Sequence, residues 1–120
     1  MHIKAGTHFM LADEPLENGG EGTAPDPYEF LSASLSTCTL ATLQLYLKRK
    51  DWNIKLLSVD VSFTDEDKAG VKTAHFFKTI RVTGTMDETQ RNRLLLISDA
   101  CPVSKILKSG SNTIDTVITN

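Results

Sequence analysis

Between residues 26 and 50 the apolar positions follow helical spacing. Leu31, Leu35, Cys38, Thr42 and Leu45 recur every third or fourth place, and Phe30, Ala33, Thr37, Leu40, Ala41 and Leu43 widen that stripe. The ends are specified as well. Asp26 suits an N-cap, Pro27 the first helical position and Glu29 the reciprocal arm of a capping box. Lys48, Arg49 and Lys50 put positive charge where the last carbonyls are unsatisfied. The pattern predicts one long helix that is apolar on most sides and therefore wrapped by other structure.

Alternation with period two marks the flanking strands. Residues 2–12 carry β-formers and predict a short strand or the second half of a hairpin. Asp13–Pro25, with three glycines, two prolines and four acids, reads as a loop; its Gly-Gly-x-Gly run suits a phosphate poorly because the same loop carries the acids. After a turn at Asp51–Asn53, Leu57, Val59, Val61 and Phe63 alternate with polar residues, and residues 74–85 return, with Phe76, Ile80 and Val82 on one face. The charged stretch 65–70 is expected at the hairpin tip, the two strands pairing antiparallel.

Asp87 and Gln90 open a second helix with Leu94, Leu95, Ile97 and Ser98 on its buried side. Pro102 restarts a third with Cys101 at its cap and Gly110 at its close, and residues 112–118 are expected to form a last strand. The order gives an α+β fold, a single domain over residues 1–120 in which an antiparallel sheet is wrapped around a long central helix. So apolar a helix needs more cover than one small sheet supplies, and a second subunit is the expected source, making a homodimer.

Composition narrows the function classes. A length of 120 residues, 40% hydrophobic content and a net charge of -2 fit one ordinary globular domain, with no basic excess for nucleic acid. No apolar run of membrane-spanning length and no leader are expected, and the default compartment is the cytoplasm. The two cysteines, Cys38 and Cys101, are too few for a secreted disulfide framework, and with scattered His8 and His75 they form no metal set. No cofactor is expected. A cysteine on an apolar helix face is by default a small core residue, and Glu29 is most simply a cap. Cys101, at a helix start with Lys105 one turn on, is the easier thiol to ionise; a thiol in mid-helix, such as Cys38, needs a cation or donor nearby.

Taken together, Asp13-Glu14-Pro15, Gly19-Gly20, Pro25-x-Pro27-Tyr28-Glu29-Phe30-Leu31, Ser36-Thr37-Cys38-Thr39, Trp52, and Asp87-x-x-Gln90-Arg91 through Asp99-Ala100-Cys101-Pro102-Val103 resemble the OsmC/Ohr superfamily of osmotically inducible and organic hydroperoxide resistance proteins. The resemblance runs from about His8 to the end of the chain. It implies an intertwined homodimer with two sites at the subunit interface. It also implies a thiol-dependent peroxidase in which Cys38 attacks a small hydroperoxide and becomes a sulfenic acid. Cys101 then captures it as a disulfide, Glu29 assists, and a lipoyl-type or thioredoxin-like dithiol is the reductant.

Three features depart from the family pattern. No arginine precedes Arg49, so the cation at the nucleophile is expected from Lys4, His8, Arg81 or a partner chain. Tyr28 directly follows the proline, with Glu29 one step, about 100 degrees, further round the helix. The first strand of typical members is expected to be missing. A contrasting expectation is a non-catalytic dimeric module holding a small apolar ligand, its cysteines inert.

Overall fold

The computed structural model describes residues 1–120. Its elements in order are β1 (His2–Ala5), β2 (His8–Leu11), a single 3-10 turn at Leu16–Asn18, α1 (Pro27–Lys50), β3 (Ile54–Lys68), β4 (Val71–Gly84), α2 (Glu88–Asp99) and α3 (Pro102–Lys108). β1 and β2 make one antiparallel sheet and β3 and β4 another. The fold is α+β, with a long helix against antiparallel strands.

α1 starts where its sequence says it should. Asp26 accepts the amide of Glu29 at 2.8 Å, and the Glu29 carboxylate accepts the Asp26 amide at 2.8 Å, closing the capping box. The helix ends on Asp51, which adopts a left-handed backbone with φ 53°. By length and composition α1 is long and apolar enough to cross a membrane, contrary to the expectation that no such run exists. In this fold it is the core helix. Leu35, Thr39 and Leu43, one turn apart, are buried, and Ser36 donates to the Val59 carbonyl of β3.

The β3–β4 hairpin is longer than its alternating stretch, since the charged segment 65–68 continues β3 and the turn falls at Ala69-Gly70, both with positive φ. A bulge between Leu56 and Ser58 shifts the register. Alternation alone places Leu57 on the buried face, and the structure does not. The extra residue turns Leu57 outward and brings Ile54, Leu56 and Val59 inward. Gly84 closes the base of the hairpin with φ 103°, and a Cβ there would lie 2.1 Å from the Asn53 carbonyl oxygen, so no other residue fits. Leu43, Ile54, Val59 and Leu94 form the buried centre, where α1, β3 and α2 meet.

Four further expectations differ from the structure. Residues 2–11 hold a whole hairpin rather than a single strand or only the second half of a hairpin. Residues 112–118 form no strand and join neither sheet; Ile114, Val117 and Ile118 are 92%, 85% and 94% exposed. On α2, Leu94 and Ser98 are buried as the periodicity requires but Leu95 is exposed, and α3 stops at Ser109, so Gly110 takes no left-handed cap.

The single chain leaves a great deal of surface open. It exposes 9295 Å², against roughly 6,400 Å² for a compact monomer of its mass. Its radius of gyration is 17.5 Å, against roughly 14 Å for a compact domain of this length. Along α1 the outward positions include the small residues Ser34, Thr37 and Ala41 between exposed Leu31 and Leu45.

Candidate functional site

The two cysteines, distant in sequence, meet where α1 passes the α2–α3 junction. Cys38 is half-buried in the middle of α1, Cys101 is the N-cap of α3 and fully buried, and both are free thiols. Thr39, the residue after Cys38, turns its hydroxyl to Cys101, with Oγ1 and Sγ 3.5 Å apart. The Ser104 amide donates to Cys101 Sγ at 3.4 Å, and the Ser104 hydroxyl lies 3.2 Å from the same sulfur, receiving its hydrogen while Cys101 is a thiol. The arrangement surrounds one sulfur with three groups able to donate to its anion.

Those groups change its acidity. Burial, the largest influence, pushes the Cys101 thiol up. The Ser104 hydroxyl, the Thr39 hydroxyl, the Ser104 amide and the adjoining Cys38 thiol outweigh it and bring the group down from its ordinary 9.0 to about 7.

A cation stands behind the hydroxyls. Lys78 reaches in from β4, its side chain only 13% exposed. Its Nζ donates to the Ser98 carbonyl at 2.8 Å, Thr39 Oγ1 at 3.3 Å and Ser104 Oγ at 3.3 Å, with the Asp99 carboxylate 3.8 Å away. The inward parity of β4, shared by Phe76, Ile80 and Val82, carries Lys78 as well, and that alternation was the signal available in the sequence. The cation candidates named from sequence stand elsewhere in this chain. Arg81 pairs with Asp60 on the exposed face of the hairpin, Lys4 lies over the Phe9 ring within the β1–β2 sheet, and His8 is an exposed residue of that sheet. Lys105 is exposed on α3.

Glu29 is also apart from the sulfurs within one chain. It belongs to the α1 cap, nine residues and about 13 Å of helix before Cys38. There it lines the largest groove, of about 930 Å³, which Tyr28, Ser36, Val59 and Phe63 share and which contains neither cysteine. A smaller cavity of about 440 Å³ adjoins the sulfur site through Lys78 and Ser104, with Leu31, Leu35, Phe76 and Leu107 as apolar walls. No three His, Cys, Asp or Glu side chains converge as metal ligands.

The Gly-rich loop is organised by its own acid. The Asp13 carboxylate takes the amides of Glu14, Glu21 and Thr23 and the Thr23 hydroxyl, contacts led by Thr23 that hold it well below the usual carboxylate range. A Cβ on Gly20 would sit 1.9 Å from the Glu14 carbonyl oxygen. The amides of Gly19, Gly20, Glu21 and Gly22 are all bonded within the loop, so the Gly-Gly-x-Gly run offers none to a phosphate.

The model of the family described as OsmC-like protein matches residues 20–116. Among solved structures the chain resembles a putative osmotic stress induced and detoxification response protein from Psychrobacter arcticus, with a TM-score of 0.64, 18% identity and coverage of 88% of this chain and 85% of that one. An OsmC-like protein from Mycoplasma pneumoniae gives 0.64 and 18%, covering 92% and 79%. An organic hydroperoxide resistance protein OsmC from Legionella pneumophila gives 0.63 and 19%, covering 86% and 76%. At these identities the likeness is one of fold. No curated protein matches the sequence.

Proposed function

This chain belongs to the OsmC-like protein family, and from that premise and its paired sulfurs we propose a thiol-dependent peroxidase acting on small organic hydroperoxides. Cys38 attacks as a thiolate. Its sulfur takes the terminal oxygen of ROOH, the O–O bond breaks, and the alkoxide leaves as the alcohol after protonation, with Cys38 now a sulfenic acid. Cys101 then attacks the sulfenic sulfur as a thiolate; an S–S bond replaces the S–O bond and hydroxide departs. A lipoyl-type or thioredoxin-like dithiol takes up the disulfide and restores both thiols, which suits a reducing compartment such as the cytoplasm.

One observation carries the proposal: Cys101 is fully buried at the Cys38 site with the Thr39 hydroxyl, the Ser104 hydroxyl and the Ser104 amide all within 3.5 Å of its sulfur, a polar seat that a mere core cysteine does not need. The apolar walls near Lys78 favour an organic hydroperoxide over hydrogen peroxide. The name of the Legionella relative supports a role in resistance to oxidative stress. Homodimer formation is part of the proposal, supported by the open surface of the single chain and by the small residues along the outer face of α1, where a second helix can approach closely. Glu29 is carried into the proposal from the family resemblance and would act only in that dimer, since within one chain its carboxylate closes the α1 cap.

A second reading, a non-catalytic dimeric module for a small apolar ligand, draws on the complete enclosure of Cys101 and on Lys78 meeting hydroxyls rather than Cys38. The two separate in one titration. With one equivalent of cumene hydroperoxide the peroxidase loses both thiols of each chain and Cys38→Ser loses none, whereas the binding module keeps both thiols until it is denatured.

A further inference from the structure

The bonding of Lys78 deepens this reading and rests on Cys38 and Cys101 being a redox pair. A lysine ammonium carries three donors and no acceptor. Lys78 has three acceptors in reach, the Ser98 carbonyl, Thr39 Oγ1 and Ser104 Oγ, so all its hydrogens are engaged and each hydroxyl oxygen must accept from it. A hydroxyl has only one hydrogen of its own to donate. For both Thr39 and Ser104 the sulfur of Cys101 is within reach, at 3.5 and 3.2 Å.

We propose that Lys78 is the positioning residue of the sulfur pair. Its ammonium fixes the Thr39 and Ser104 hydroxyls so that their hydrogens turn to Cys101 Sγ as an anion, keeping that sulfur ready to capture an oxidised Cys38. It acts through two side chains and touches neither sulfur. The consequence is kinetic: the sulfenic acid on Cys38 is captured as a disulfide, with loss of hydroxide, before a second peroxide takes it to sulfinic acid. In this chain, which has no arginine before Arg49, the cation of the site comes from the sheet and serves the second cysteine.

The other charged and titratable groups around the site modulate this effect without replacing it. Asp99, at the end of α2, lies 3.8 Å from both Lys78 and the exposed Lys108 of α3, so its charge is shared. His75 lines the neighbouring cavity from β4, and Cys38 faces the site from α1. Lys105 lies on the exposed side of α3. Only Lys78 bonds to the hydroxyls that meet Cys101.

The test needs no peroxide. In full-length Cys38→Ser, Cys101 is the only thiol, and its ionisation can be followed by thiolate absorbance near 240 nm across pH. Adding Lys78→Gln is expected to cut the thiolate fraction on the acid side of the titration by about tenfold, a shift of about one pH unit. Lys78→Arg is expected to retain most of it. Should Lys78→Gln lose its helical circular dichroism, Thr39→Val removes one relay of the same shape and is expected to shift the curve in the same direction by a smaller amount. A titration unchanged in folded Lys78→Gln, or unchanged in Thr39→Val, overturns the inference. If these shifts appear but hydroperoxide consumes no thiol in the parent chain, the peroxidase reading fails and the positioning role of Lys78 stands.

Discussion

At the start of α1 and at the start of α3, a side chain accepts the amide of the residue three positions on: Asp26 from Glu29 at 2.8 Å, Cys101 from Ser104 at 3.4 Å. Both helices also have proline just inside the cap. The third residue then behaves differently. Glu29 reaches back to the Asp26 amide in open solvent, while Ser104 is buried, meets the cap sulfur with its hydroxyl and accepts from Lys78. Where water can solvate the carboxylate, the cap holds a helix end. Where water is excluded and a donor-only cation stands behind it, the same backbone geometry becomes a seat for a sulfur anion.

The largest effect separating the two caps belongs to Cys101→Ala. No disulfide should form after hydroperoxide treatment, and intact-mass spectrometry should find Cys38 oxidised as sulfenic and then sulfinic acid. Survival of full turnover would remove Cys101 from the reaction.

Ser104→Ala comes next. It strips one hydroxyl from the sulfur and one acceptor from Lys78 but leaves the amide, and is expected to cost about 1–2 kcal/mol in urea unfolding and to raise the Cys101 titration. The sign of the pH dependence follows. The folded thiol is lowered from 9.0 to about 7, so the unfolded chain binds more protons in that interval. The stabilisation from this group is full above the unfolded value and is lost as pH falls through about 7. In Cys38→Ser the unfolding midpoint should therefore rise between pH 6 and pH 9 by more than it does in the variant that also carries Ser104→Ala.

At the exposed cap, Asp26→Ala is expected to cost about 1 kcal/mol, with the thiol titration unmoved. A shift there would mean that the start of α1 is coupled to the sulfurs. The smallest effect on stability belongs to Glu29→Gln, which keeps the bond to the Asp26 amide while losing the charge. Turnover should fall severalfold at an unchanged melting temperature, and unaltered turnover would leave Glu29 as a cap alone.

Much of this is legible in the residues. Asp26-Pro27-x-Glu29 and Asp87-x-x-Gln90 announce both capping boxes, and the alternation from Val59 to Val82 announces the hairpin, because caps and pleats depend on neighbours in sequence. The bulge at Leu57 is not legible, since register depends on the partner strand. The stretch 112–118 has the composition of a strand, but strands exist only by pairing. Both cysteines carry their signature in sequence. Lys78 is not legible in the same way, because a lysine in an alternating strand reads as solvent-facing and only the fold brings Thr39, Ser98 and Ser104 around its amine.

The most direct measurement is peptide mapping of the native chain after one equivalent of cumene hydroperoxide, with free thiols blocked before digestion. The account predicts a peptide joining Cys38 to Cys101 and loss of both thiols in each chain. Blocked, unlinked Cys101 alongside oxidised or untouched Cys38 would contradict it.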